Sequence, residues 1–269
     1  MALKRIRMKN ERDGFPITAM REIKLLQRLK HERIVELQEI MVAKGSIYMV
    51  LEYMDHDLSG ILGHPNFNFE PAHAKSLVKQ MLEGLAYLHH MGILHRDIKG
   101  SNLLLNNKGE LKIADFGLAR VFEKKKAHDY SNRVITLWYR PPELLLGATA
   151  YGPAVDIWSE LPWYELVKPQ EIHASKFREL YGPLLSPGAL ALSEALLSMD
   201  PVNRPTAAEA LEFDYFKEEL PLPVMPANLL GVNGDWHEFE SKQRKRQKAT
   251  NTQTKKDMST RSKLPLAIK

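Results

Sequence analysis

The strongest constraint on how this chain can fold is a stretch beginning at Pro71, in which Ala74, Leu77, Val78, Met81, Leu82, Leu85 and Leu88 recur every three or four positions. That spacing puts the apolar side chains on one face of a helix, a face that must be buried against other elements. Gly92 is the expected stop, because glycine readily takes the left-handed backbone that ends many helices. Beyond it, Leu103-Leu104-Leu105 and Leu111-Lys112-Ile113 flank Asn106-Asn107-Lys108-Gly109, the composition of a hairpin of two short strands. Functional groups on the turns beside such strands are rigidly held.

Before the helix, Ala2-Leu3-Lys4-Arg5-Ile6-Arg7 alternates as a strand does, and Thr18 to Leu29 has apolar positions at helical spacing. Ile47-Tyr48-Met49-Val50-Leu51-Glu52-Tyr53, preceded by a turn signal at Gly45, is expected to be a buried strand. Beyond Pro153 the pattern is mainly helical until Pro221, Pro223 and Pro226 interrupt it. No internal repeat is apparent. The character of the sequence changes near residues 55 and 231, which divides it into 1–54, 55–230 and a polar tail, 231–269, expected not to fold alone.

With 269 residues, 44% of them apolar, the chain can bury a sizeable core. No apolar run has the length of a signal peptide or a membrane span, so an intracellular protein with no membrane partner is expected. The absence of cysteine excludes disulfides, thiolate zinc sites and cysteine nucleophiles. The net charge of +5 is uneven, for residues 241–269 hold ten Lys and Arg against one Asp. Lys242, Arg244, Lys245, Arg246 and Lys248 would suit nucleic acid or a nuclear address, or simply a solvated tail.

His95-Arg96-Asp97-Ile98-Lys99-Gly100-Ser101-Asn102 resembles the catalytic loop of protein kinases. Asp115-Phe116-Gly117 follows it, and Pro141-Pro142-Glu143 stands where kinases carry Ala-Pro-Glu, so three motifs occur in the family's order. The resemblance implies an α+β, two-lobed kinase fold and transfer of a phosphoryl group from ATP, with Mg2+, to a Ser or Thr hydroxyl. Asp97 would accept the hydroxyl proton, Lys99 would steady the transferring group, Asn102 and Asp115 would hold Mg2+, and Thr136 would bond Asp97 and Lys99. Lys4 would reach the phosphates, held by an ion pair with Glu22, although an isolated Lys/Glu pair is far more often a solvated pair.

Gly14-Phe15-Pro16-Ile17-Thr18-Ala19-Met20-Arg21-Glu22 is similar to the cyclin-contacting helix of cyclin-dependent kinases, which implies a cyclin partner. Val134-Ile135-Thr136, Leu144-Leu145-Leu146-Gly147 and Gly234-Asp235-Trp236-His237-Glu238-Phe239-Glu240-Ser241 look most like the fungal RNA polymerase II C-terminal-domain kinases. That likeness implies Ser-Pro and Thr-Pro substrates and a place in the nucleus. It also implies Leu51 as gatekeeper, Glu52 and Met54 as backbone partners of adenine, and Leu104 as the pocket floor. Arg21, Arg96 and Arg120 would gather around a phosphorylated Ser131, where the family usually has Thr, and Glu143 would pair with Arg204.

The sequence departs from the family twice. It opens at Met1-Ala2-Leu3-Lys4 with no glycine-rich loop ahead of the lysine, so an incomplete first sheet is expected. After Asp156-Ile157-Trp158-Ser159, an internal segment of the family is missing at 159–160, and Pro162 should stop any helix begun at Asp156. Two readings stay open: a cyclin-dependent kinase, or a catalytically impaired or truncated product that at most binds a cyclin.

Overall fold

The computed structural model describes residues 1–6, 15–123, 129–158 and 176–239. Gly14, the 159–160 junction, Pro162 and the basic tail beyond 239 lie outside the described residues.

Strand β1 (Ala2–Ile6) forms the edge of an antiparallel sheet of order β1-β3-β2, with β2 (Leu37–Ala43) and β3 (Ser46–Leu51). β2 and β3 are joined through Lys44 and Gly45 at φ 48° and 70°. Positive φ at both central residues is the hairpin turn whose twist matches its strands, and Gly45 makes it accessible. β2 was not legible beforehand, and β3 ends at Leu51 rather than at Tyr53. At that point Glu52 donates its N–H to Glu36 O at 3.1 Å and leaves the ladder. β3 is buried only at Met49 and Val50, because only part of the sheet is covered. Helix α1 (Ile17–Arg28) buries Glu22, Ile23, Leu25 and Leu26, and lacks a side-chain cap at Pro16.

A second small sheet has the order β4-β6-β7, from β4 (His56–Asp57), β6 (Leu103–Leu105) and β7 (Leu111–Ile113). β6 and β7 pair as expected around the 106–109 turn. A third pairs β5 (Ile93–Leu94) with β8 (Arg120–Val121). Ile113 exchanges backbone hydrogen bonds with Arg33 and Val35 at 2.8 and 3.0 Å, which ties the N-terminal part to the hairpin.

After the short α2 (Leu58–Leu62), helix α3 (Pro71–His90) is the central support. Its capping box joins Glu70 and His73, and Gly92 follows its last turn at φ 71°, as the sequence implied. Leu82, Leu85 and Leu88 are buried in one cluster with Leu105, Ile113 and Phe116. Gln80 fixes the register against the hairpin, donating to Gly109 O at 3.1 Å and accepting from Leu111 N at 2.8 Å. Among the described residues shorter helices follow: α4 (Pro142–Leu145), α5 (Ala154–Ile157), α6 (Phe177–Tyr181), α7 (Pro187–Leu196), α8 (Ala207–Ala210) and α9 (Asp214–Lys217). α5 is a single turn.

The chain remains docked past the expected tail boundary at 231. Trp236 donates its N–H to His56 Nδ1 at 3.1 Å, Asp57 donates to Trp236 O at 3.1 Å, and Glu238 N reaches Asp57 Oδ2 at 2.7 Å. The polar composition of this stretch hid the docking, in which Val232 and Trp236 also pack against the core.

Leu85 is fully buried, so Leu85→Ala is expected to cost about 2–5 kcal/mol in urea unfolding, whereas Leu184→Ala, at an exposed position, stays within about 0.5 kcal/mol.

Candidate active site

The loop from His95 to Asn102 runs between β5 and β6 with little strand pairing of its own, and Arg96 lies at φ 64°, a left-handed conformation unfavourable for a non-glycine residue. A buried carboxylate fixes it there. Asp156, on α5, accepts the His95 N–H at 2.9 Å on Oδ2 and the Arg96 N–H at 2.7 Å on Oδ1. The His89 Nε2–H, from the last turn of α3, donates to the same Oδ2 at 2.9 Å. Burial alone would raise the Asp156 carboxyl, but His89, His95 and the Arg96 amide together hold it below the ordinary aspartate value.

His95 is completely enclosed. Its Nε2 lies 3.0 Å from Ala114 O, and its Nδ1 accepts the Asp97 N–H at 3.2 Å. The ring edge rests against buried Phe116, centroid to centroid 5.0 Å.

Held in this way, Asp97 meets three side chains. Lys99 Nζ lies 2.8 Å from Oδ2, Asn102 Nδ2 donates to the same oxygen at 2.9 Å and to Asp97 O at 2.8 Å, and Thr136 Oγ1 donates to Oδ1 at 3.0 Å. Lys99 also donates to Thr136 Oγ1 at 3.2 Å. The Ala114 N–H bonds Asn102 O at 2.9 Å, which places the neighbouring Asp115 beside this cluster.

A second cluster centres on Lys4, opposite Met49 in the β1–β3 ladder. Its Nζ lies 2.7 Å from Glu22 Oε1 and 2.9 Å from Asp115 Oδ1, so one ammonium joins β1, α1 and the turn after β7. Burial would lower the Lys4 ammonium, yet the Asp115 and Glu22 carboxylates overcome it and raise the value. Burial would likewise raise Asp115, but Lys4, the Gly117 N–H and His95 pull it down. Asp115 sits at φ 63°, and Phe116 turns inward from it into the core with α1.

The remaining expected residues are more dispersed. Leu51 and Leu104 are half-buried, and Leu104 lies on the opposite side of β6 from buried Leu103 and Leu105. The Glu52 side chain bonds the Glu36 N–H at 2.7 Å and pairs with Lys112 at 2.9 Å, while Met54 is buried. The guanidinium of Arg120 is lowered by burial and by the charges of Arg21 and Arg96, so three cations lie close together. Arg21 Nη1 is buried with no hydrogen-bond partner among the described residues. Arg96 donates to Tyr151 Oη at 2.9 Å, and the Tyr151 hydroxyl bonds the carbonyl of exposed Ser131 at 2.8 Å. Glu143 and Arg204 form the expected pair through two contacts of 2.7 Å.

Sequence reasoning missed Asp156, Tyr151 and Arg140. The signal for Asp156 was a carboxylate inside an apolar run, between Val155 and Ile157-Trp158. Arg140 donates to Val134 O at 2.9 Å and to Ile135 O at 3.1 Å, holding Ile135 at φ 63°.

Because the Asp156 carboxyl is lowered on folding, its contribution to stability is complete above the ordinary value of 3.8 and is lost as pH falls through the lower folded value. Asp156→Asn is therefore expected to cost about 1.5–3 kcal/mol at pH 7 and to flatten the acid limb of a stability–pH curve measured by denaturant unfolding.

A protein kinase domain model matches residues 1–216. The CTD kinase subunit alpha of Schizosaccharomyces pombe is 50% identical over 288 residues, covering 91% of this chain and 49% of that protein. Cyclin-dependent kinase C-1 of Oryza sativa is 42% identical, over 92% of this chain and 59% of its own length. A crystal structure of the yeast RNA Pol II CTD kinase CTDK-1 complex superposes with a TM-score of 0.74 at 41% identity, covering 83% of this chain and 87% of that one. The chain thus spans about half to three-fifths of the length of these two curated relatives. The first matched stretch, at 288 residues, exceeds the whole of this 269-residue chain, so that relative carries internal residues with no counterpart here. By its motifs, its fold and these matches, the chain belongs to the protein kinase family.

Proposed function

We propose that this chain is the catalytic unit of a cyclin-dependent kinase that phosphorylates Ser-Pro and Thr-Pro sites of the RNA polymerase II C-terminal domain, in the nucleus and together with a cyclin. Residues 1–54 and 55–230 serve as its two lobes, with 232–239 docked on the second, and the internal deletion lies near 159–160. The carrying observation is the pair of clusters in which Lys4 joins Glu22 and Asp115 while Asp97 is held by Lys99, Asn102 and Thr136.

In this reading Asp97 Oδ1, which accepts the Thr136 hydroxyl, receives the proton of the substrate hydroxyl, while Lys99 steadies the transferring group. Lys4, kept cationic by two carboxylates, pairs with phosphate oxygens of ATP. Adenine meets Leu51, Leu104, the Met54 backbone and the Glu52 carbonyl, since the Glu52 N–H is already bonded to Glu36. Asp115 and Asn102 would hold Mg2+, and among the described residues the hydrogen bonds that the Asn102 side chain donates use Nδ2, so its amide oxygen suits the ion. Among the described residues no group of three acidic or His side chains is placed to hold a metal, so Asp115 and Asn102 would share the ion with nucleotide phosphates and water. When bound, it neutralises charge on the phosphates.

Proline after the target residue has a physical basis here. Arg140 already engages the carbonyls of Val134 and Ile135, so they are poorer acceptors for a backbone N–H of a peptide lying on this segment. Proline lacks that N–H, whereas any other residue would bring one that is poorly paired. The buried, unpaired Arg21 Nη1 beside Arg96 and Arg120 supports a phosphoserine at Ser131 as the ordering charge.

A second reading, an impaired or truncated product that binds a cyclin at most, is favoured by the internal residues its relative carries and this chain lacks. With a cyclin, ATP and Mg2+ present, the kinase reading expects phosphorylation of a Tyr-Ser-Pro-Thr-Ser-Pro-Ser peptide, lost on Asp97→Asn, with Pro→Ala substitution in the peptide lowering kcat/KM roughly 10–100-fold. A signal no greater than that of the Asp97→Asn variant would establish the second reading instead.

A further inference from the structure

We propose that a small apolar molecule bearing a single hydroxyl group binds in a hollow between α3 and α7, and that by doing so it steadies the loop carrying Asp97. The hollow measures about 240 Å³ and is walled by Leu77 and Met81 of α3, Leu192 and Leu196 of α7, Leu103 of β6 and Ile157 of α5. No role assigned to the kinase site uses it.

Three observations decide the class of occupant. Water needs two to four polar partners, and this lining offers hydroxyls only at Ser193 and Tyr215, so water is a poor filler. An apolar cavity of about 150 Å³ accepts benzene, so this one has room for a fused or substituted ring. The hydroxyls of Ser193 and Tyr215 on the wall suit one hydroxyl group on such a ring. Burial and the nearby Glu219 raise the Tyr215 phenol, which keeps it a hydroxyl donor among mainly apolar walls.

The walls connect the hollow to the catalytic loop. Leu103 directly follows Asn102, and Ile157 directly follows Asp156, whose carboxylate holds the His95 and Arg96 amides. Filling the hollow restricts both neighbours without touching the nucleotide or substrate residues.

The test uses the full chain with 1-naphthol and naphthalene as probes. Met81 lines the hollow, so its ¹³C-labelled ε-methyl signal, assigned with Met81→Leu, should shift saturably with 1-naphthol. Near saturation Tm should rise by roughly 5 °C or more, and amide exchange at His95 and Arg96 should slow. Ala189→Phe, which fills the hollow from α7, should abolish the response, and Ser193→Ala should weaken 1-naphthol about fivefold while sparing naphthalene. Absence of a saturable Met81 shift in the unaltered chain, which needs no variant to fold, overturns the proposal. An equal shift in Ala189→Phe overturns the site, and a Met81 shift without slowed exchange overturns the coupling. None of these readouts depends on kinase activity.

Discussion

The arrangement of the site depends on one buried carboxylate. Asp156 has no solvent to stabilise its charge, so its two oxygens must find donors inside the protein, and they find His95 N–H, Arg96 N–H and the His89 ring. The requirement also runs the other way. Arg96 could not remain at φ 64° unless something outweighed the strain, and a charge-assisted bond to its amide does so. The position of Asp97, one residue later, is a consequence of that exchange.

Asp156 stands on a single turn of helix, so it needs support of its own. Arg204 provides it: the guanidinium donates to Ala154 O at 3.1 Å, stacks 4.7 Å above the Trp158 ring and takes both oxygens of Glu143. A bidentate pair with a fully enclosed guanidinium is far more directional than a surface ion pair. A line of dependence therefore runs from Glu143 through Arg204 and α5 to Asp156, then to the 95–97 backbone and the Asp97 carboxylate. Each link is short-ranged, yet together they connect segments more than a hundred residues apart in the sequence.

What the sequence revealed follows from the range of each interaction. The period of α3 and the β6–β7 hairpin are written in neighbouring residues, and both appear at nearly the expected bounds. β2 was missed because Leu37-Gln38-Glu39-Ile40-Met41-Val42-Ala43 does not alternate, and a register shift between Leu37 and Glu39 breaks the pattern further. Lys4, Glu22 and Asp115 could be named only through motif order, since nothing near Lys4 in the chain indicates a partner 111 residues away. Asp156 left a fainter trace, a charge in an apolar run, and its partners lie 60 to 67 residues distant. Residues 232–239 read as tail because their polar composition outweighs the two apolar side chains, Val232 and Trp236, that pack on the core, and the bonds to His56 and Asp57 are long-range.

Packing and charge divide the work at the Lys4 cluster. Lys4 and Asp115 are each about half exposed, so solvent screens their attraction and the pair contributes little to holding α1 in place. α1 is held instead by Ile23, Leu25 and Leu26, which pack in one core with Phe116 and the α3 leucines. That packing carries Glu22 into a buried position whether or not its ion pair forms. Once buried, the Glu22 carboxylate requires a cation, and Lys4, fixed opposite Met49 by the strand ladder, is within reach. The ion pair thus reports that α1 is seated rather than causing it, and any event that lifts α1 from Phe116 must also strand Glu22 without its partner. Seating of the helix and readiness of the lysine are therefore a single equilibrium, set by apolar contact and read out as charge.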